Sequence, residues 1–210
     1  MKILLEKYFS LHHDKVTHQV NSREINGDCY FYDNFSCQQC IPFFKRYCKH
    51  ETFLLHTNSI VNAIEIEQFL NSFINLHNCE RCDILLTDNH KIALIDMYCG
   101  MSEYLDDHTI EGKQAIGKKT KARRQIESTI KLLCEIPEIN DALNNMTEKI
   151  GIFAYRAKDD ELFANVPKIV SNSMDKFLII GNQQAKRQLA AQMSNGFKYI
   201  MHHYPDRYQW

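Results

Sequence analysis

Cys82-Asp83-Ile84-Leu85-Leu86-Thr87-Asp88-Asn89-His90-Lys91-Ile92-Ala93-Leu94-Ile95-Asp96-Met97-Tyr98-Cys99-Gly100 reads as two strands joined by a tight turn. Apolar runs rich in Ile and Leu flank Thr87-Asp88-Asn89-His90, and Asp and Asn accept the backbone angles that a tight turn demands. Asp83 opens the first strand and Asp96 closes the apolar part of the second. In a suitable register the two carboxylates stand at neighbouring points of one sheet. Such a pair suits Mg²⁺, a hard cation that takes carboxylate oxygens and keeps several waters for a phosphate substrate.

Outward from the hairpin, Ser59 is a helix N-cap candidate, followed by Ile60, Ile64, Phe69, Leu70, Phe73 and Ile74 at largely helical spacing. Glu65 and Glu67 lie on this segment. On the other side, a run holding Lys113, Lys118, Lys119, Lys121, Arg123 and Arg124 feeds a helix with Ile126, Ile130, Leu132, Leu133 and Ile136, which Pro137 ends or kinks. Lys149–Arg156 and Lys176–Asn182 read as two further strands. Gln183 to about Ile200 has helical composition, with Leu189, Ala190, Met193 and Phe197 on one face. The order helix, strand, strand, helix, strand, strand, helix predicts an α/β domain, a mixed central sheet flanked by helices.

The pattern of an acid on one strand, a hairpin, and a second acid on the next strand resembles the core of the PD-(D/E)XK restriction-endonuclease-like nucleases. More narrowly, the hairpin is similar to small bacterial domains, reading KCDYLI and IYFIELKG, found beside mobile elements and phage-defence genes. The resemblance implies Asp83 as the first metal-binding acid and Asp96 as the acid of the second motif, with Mg²⁺ between them. It implies an acid from the preceding helix, Glu67 being favoured over Glu65, although a helical Glu is more often solvated. Lys121-Ala122-Arg123-Arg124-Gln125-Ile126 matches the family's helix pattern KAxxQL, which makes Gln125 a polar active-site candidate. Tyr98 stands where the family has its catalytic lysine, and tyrosine carries no charge near neutral pH. Lys121 or Lys119, or another lysine of the 118 to 121 run, is positioned to replace it. The resemblance covers roughly residues 55 to 182. It organises the chain into an N-terminal cysteine-rich extension (1–54), a nuclease-like core (55–182) and a C-terminal helix with an aromatic tail (183–210), together one compact body.

At 210 residues and 44% hydrophobic content the chain can bury a substantial core. A net charge of −1 excludes a broadly basic nucleic-acid coat, so DNA contact has to come from a local patch, Lys118, Lys119, Lys121, Arg123 and Arg124. The same patch also reads as a solvated helix face. No apolar run has the length of a membrane span, and the apolar stretch after Met1 is short for a secretory signal, which together predict a cytoplasmic protein with no membrane partner.

In that compartment the eight cysteines call for a reason other than disulfides. Cys37-Gln-Gln-Cys40 and Cys79-Glu-Arg-Cys82 are two C-x-x-C pairs, a spacing that suits a tetrahedral structural Zn²⁺. A local alternative uses Cys37, Cys40, Cys48 and His50, and a third reading makes the thiols small buried hydrophobes. His12, His13, His18, His202 and His203 read as surface residues near the ends. Tyr199, Tyr204, Tyr208 and Trp210 suit docking on a protein better than stacking on bases.

Two functions from different classes follow. One is a degenerate nuclease fold serving as scaffold or DNA-binding subunit of a phage- or plasmid-defence complex, a setting implied by the resemblance alone. An ATPase would be among its partner subunits, because no Walker A pattern occurs here. The alternative is an active Mg²⁺-dependent DNA endonuclease using Asp83 and Asp96 with a migrated lysine. Loss of the lysine at Tyr98 favours the first.

Overall fold

The computed structural model describes residues 1–33, 51–110, 112–157 and 191–210. In chain order these form α1 (Lys2–Leu4), a π turn (Leu5–Phe9), α2 (Ser10–His13), β1 (Ser22–Tyr32), β2 (Glu51–Ile64), α3 (Ile66–Asn71), β3 (Ile84–Thr87), β4 (Lys91–Gly100), β5 (His108–Ile110), β6 (Lys113–Ala115), α4 (Lys118–Cys134), α5 (Pro137–Asn144), β7 (Glu148–Ala157), β8 (Ala191–Gln192), β9 (Lys198–His203) and β10 (Arg207–Gln209). The expected hairpin is β3–β4, antiparallel with Ile84 opposite Ile95 and Thr87 opposite Ile92. Asp88 closes its turn: Oδ1 accepts from the main-chain N–H groups of His90 and Lys91, both at 2.7 Å. That local bonding is why Asp is favoured in such turns.

The sheet is mixed and eight-stranded, in the order β1-β2-β3-β4-β7-β9-β8, with β10 parallel to β2. β4, β7 and β9 run parallel, and the connection from β4 to β7 carries the small β5–β6 hairpin, α4 and α5. Helices pack on one face. There Ile126, Ile130 and Leu133 of α4 meet Leu85, Ile92 and Leu94 of the hairpin, together with Leu5 and Phe9 from the N-terminus. Burying each of these side chains contributes about 1.5–3 kcal/mol. The opposite face holds Phe31, Phe53, Leu55, Val61, Ile95 and Ile152, flanked by Tyr208 and Trp210. Strand alternation sends Leu85 and Leu94 to the helical face and Ile84 and Ile95 to the other.

Three sequence expectations are corrected. The helix expected from Ser59 is mostly strand: β2 runs to Ile64, Ile60 is 57% exposed, and only Ile66–Asn71 is α-helical. Phe53, Leu55, Val61 and Ala63 recur with period two, and pairing with β1 and then β3 satisfies the backbone. The boundary expected near residue 54 falls inside β2, because β1 joins the same sheet and Leu5 and Phe9 enter the main core. β1 follows β2 through a register shift between Ile25 and Gly27 whose extra residues, 58–60, are on β2, and the Gly27 φ of +89° favours glycine. The helix expected to reach Ile200 is replaced over its described part by β8, a 3₁₀ turn at Ser194–Gly196 and β9. The expected strand at 176–182 and the start of that helix lie outside the described residues. Pro137 starts α5 at its first turn, where its missing N–H costs nothing.

Candidate carboxylate centre

Extending the β3–β4 register by one residue beyond Ile84 and Ile95 sets Asp83 opposite Asp96, and the Asp83 N–H donates to the Ile95 carbonyl at 3.0 Å. Both fall on the helical face, in line with Leu85 and Leu94. Past the end of β3, the N–H groups of β4 on that side need other acceptors, and carboxylates supply them. Asp83 Oδ2 accepts from Met97 N–H at 2.7 Å, and Asp33 Oδ2, just after β1, accepts from Cys99 N–H at 2.6 Å. The Asp83 carbonyl accepts from Glu67 N–H at 3.3 Å, which ties the first turn of α3 to the same place.

These four carboxyls form one electrostatic unit. Burial pushes Asp96 up to about 8, with Asp33 and Glu67 adding to the rise and Lys121 and Lys118 opposing it. Burial also holds Asp83 well above the carboxylate range, helped by the charges of Asp96, Glu67 and Asp33. Glu67 is raised by burial first and by Asp33, while Arg81 and Lys121 counteract. Crowded carboxylates with a few nearby cations favour either protonation or a bound metal ion.

The cations come from two elements. α4 is preceded by Gly117, where an added Cβ would lie 2.2 Å from the Asp106 carbonyl carbon, so glycine permits the close seating of the helix start. From that start Lys118 and Lys121 bring positive charge to Asp96. Tyr98, on the same face of β4, donates its hydroxyl to the Met101 carbonyl at 3.0 Å, and its ring lies 5.3 Å from the Lys118 Nζ. The aromatic ring thus holds a lysine of α4 beside β4. Arg81, buried just before β3, donates Nη2–H to the His77 carbonyl at 3.1 Å, whereas its Nη1 is enclosed without a hydrogen-bond partner.

Of the other expected site residues, Gln125 donates its side-chain N–H to the Arg81 carbonyl at 2.8 Å, which makes it a positioning residue for the segment entering β3. Lys119 turns to Asp106 at 2.8 Å. Arg123 and Arg124 lie on a different face of α4, lining with Thr120, Ser128 and Lys131 a cleft of about 590 Å³ beside Met193 and Ser194. Glu65 accepts from the Asn21 side chain and is not among the groups acting on Asp96. Cys37 and Cys40 of the expected zinc set, like Cys48 and His50, lie outside the described residues. Cys82 is fully buried in the main core, where burial pushes its thiol up, and Cys79 packs against that core. Asp33 and Arg81 were missed by sequence reasoning. Asp33 closes the aromatic run Tyr30-Phe31-Tyr32, the same strand-then-acid signature that singled out Asp96.

Among the described residues, no three of these carboxylates bring ligand oxygens within 4.8 Å of one another; His12, His13 and Glu135 do bring three ligand atoms that close. An ion at the Asp83–Asp96 centre would therefore be held by one or two carboxylates and by water, a common mode for Mg²⁺. No helix among the described residues is long and apolar enough to cross a membrane. No family model, curated protein or solved structure matches the chain.

Proposed function

We propose that Asp83 and Asp96 hold Mg²⁺ in a phosphodiester-hydrolysing site acting on DNA, on a restriction-endonuclease-like core in which α4 supplies the lysine absent from β4. The observation that carries this reading is the seating of the start of α4 beside β4, with the Lys118 Nζ 5.3 Å from the Tyr98 ring and the charges of Lys121 and Lys118 acting on Asp96. The ion would polarise a phosphate oxygen and lower the pKa of a bound water. Asp96 carries a proton in the metal-free state and would give it up to hold the ion. Lys121 stabilises charge on the phosphate, Lys118 is steered by the Tyr98 ring, and Glu67 orients water from the first turn of α3. Arg81, enclosed beside Glu67, offsets the crowded negative charge from within the fold.

A second reading keeps the fold and drops the chemistry: a scaffold or DNA-binding subunit of a phage- or plasmid-defence complex, with an ATPase among its partners. It is favoured by the engagement of Asp83 and Asp33 with main-chain N–H groups, which gives both carboxylates a structural role. Cleavage of duplex and single-stranded DNA by the purified chain in Mg²⁺ or Mn²⁺ separates the two. The hydrolytic reading expects cutting that Asp83→Asn or Asp96→Asn abolishes, that Lys121→Ala lowers by about 10²-fold or more, and that Tyr98→Phe leaves largely intact. No metal-dependent cutting by a folded wild-type chain that still binds DNA sinks it in favour of the scaffold.

A further inference from the structure

The N-terminal helical stretch ends against the end of α4, and at that junction two imidazoles and a carboxylate converge. His12 and His13 belong to α2, and Glu135 is the residue that closes α4. Each offers one ligand atom, and the three atoms lie within 4.8 Å of one another. This group shares no residue with the carboxylate centre around Asp96.

Its arrangement is held by packing. The His13 ring sits 4.3 Å from Phe9 and 5.8 Å from Phe73, and the His13 carbonyl accepts from Asn75 Nδ2 at 3.3 Å. The His12 ring lies 5.0 Å from His13 at an interplanar angle of 76°. Two further observations point to a cation. His13 Nε2 is enclosed with no hydrogen-bond partner, an unfavourable state for a buried polar atom that packing against Phe9 does not explain. Glu135 and Asp14 place negative charge beside the His13 ring. The negative end of the α4 dipole falls at the same place.

We infer that His12, His13 and Glu135 bind one Zn²⁺, with water completing the coordination, and that the ion staples the N-terminal helical stretch to the end of α4. Two imidazoles and one carboxylate are donors that zinc takes with an open fourth position, and imidazole disfavours Mg²⁺. The site is distinct from any ion held by C-x-x-C thiolates, because it uses only nitrogen and oxygen donors.

The test uses the full chain, reduced and stripped of metal, titrated with Co²⁺ as the spectroscopic probe and with Zn²⁺ in calorimetry and thermal melts. A parallel titration in a Cys37→Ser/Cys40→Ser background removes thiolate ligation. In that background the expected result is one Co²⁺ equivalent without thiolate charge-transfer absorption, and a rise in melting temperature on adding Zn²⁺. His12→Ala and Glu135→Gln alter exposed residues, so the metal-free melting temperature stays put while Zn²⁺ affinity falls by about 10–100-fold or more in each. Their combination loses the equivalent and the thermal shift. Unchanged affinity and stoichiometry in the double variant, with fold intact by circular dichroism, would overturn the site. His13→Gln, which keeps a polar group beside Phe9, supplies a second variant with the same expected loss.

Discussion

Asp96 titrates near 3.8 in an unfolded chain and near 8 in the folded one, raised by burial and by the charges of Asp33 and Glu67. Between those values the folded chain keeps a proton that the unfolded chain has released. Stability from this group is therefore full below pH 3.8 and is lost as pH rises toward about 8, and Asp83 is shifted in the same sense. His13, lowered by burial, works in the opposite sense up to 6.5, so the difference between wild type and Asp96→Asn isolates the effect. Wild type is expected to lose melting temperature relative to Asp96→Asn between pH 5 and pH 8, at about 2–4 °C per kcal/mol. Mg²⁺ should recover the loss at pH 8 and have little effect at pH 5, where protons occupy the carboxylates. Parallel pH profiles for the two proteins would contradict the raised carboxyl. The residue pair Asp83 and Asp96 was legible in the sequence, because acids at the ends of apolar strands stand out. Asp33 carries the same strand-then-acid signature, but its place beside them depends on the pairing of β1 with β2, which no spacing to the hairpin announces.

At the scale of the element, α4 is tied to the segment entering β3 by one threonine. Thr129 Oγ1 accepts from Cys82 N–H at 3.0 Å and donates to the Gln125 carbonyl at 2.9 Å. Thr129→Val keeps the shape and leaves a buried N–H unpaired, so urea unfolding should show a loss of about 1–3 kcal/mol with an unchanged m-value. Replacement by Ser should cost less than Val, as the hydroxyl remains. The outer face of the same helix carries Arg123 and Arg124, and its start carries Lys118 and Lys121. Changing these four to Ala should weaken DNA binding and reduce the slope of log K against log salt by about 0.7–0.9 for each phosphate that is no longer neutralised. An unchanged slope would assign the patch to solvent or to a protein. Lys119, paired with Asp106, is expected to contribute less than its neighbours. The helix itself was readable from Ile126, Ile130 and Leu133, whereas β2 was misread. Ile60, Ile64 and Phe69 match helical spacing by chance, and only the two strands flanking β2 make the period-two set Phe53, Leu55, Val61 and Ala63 decisive.

Over the whole molecule, the chain end returns to clasp the hairpin turn. Trp210 Nε1–H donates to Asp88 Oδ2 at 2.7 Å, its main-chain N–H donates to the His56 carbonyl at 3.0 Å, and Lys91 Nζ lies 4.8 Å from the indole. β10 pairs beside the first half of β2, so the C-terminal residues lock β2 to the β3–β4 turn. Trp210→Ala should cost about 2 kcal/mol or more in urea unfolding, and removal of residues 207–210 should cost more because the β10 ladder goes too. An aromatic tail free to dock on a partner would instead show no change in stability on truncation. Within the described residues Tyr208 and Trp210 have an intramolecular role against the second face of the sheet, beside the docking expected of them from the sequence.

By itself the amino-acid sequence determined the β3–β4 hairpin, its Asp88 turn, the amphipathic α4, the β7 strand and the acids Asp83 and Asp96 at the strand ends, whose register the fold then set. All of these depend on periodicity or on interactions between residues near in the chain. Only the tertiary structure decided that residues 51–64 are strand, that 198–203 add a parallel strand, that Asp33 and Arg81 join the carboxylate centre and that His12 and His13 meet Glu135. Those outcomes rest on groups far apart in sequence. Their energies arise from sheet pairing, burial and electrostatic coupling, which exist only after the chain has closed on itself.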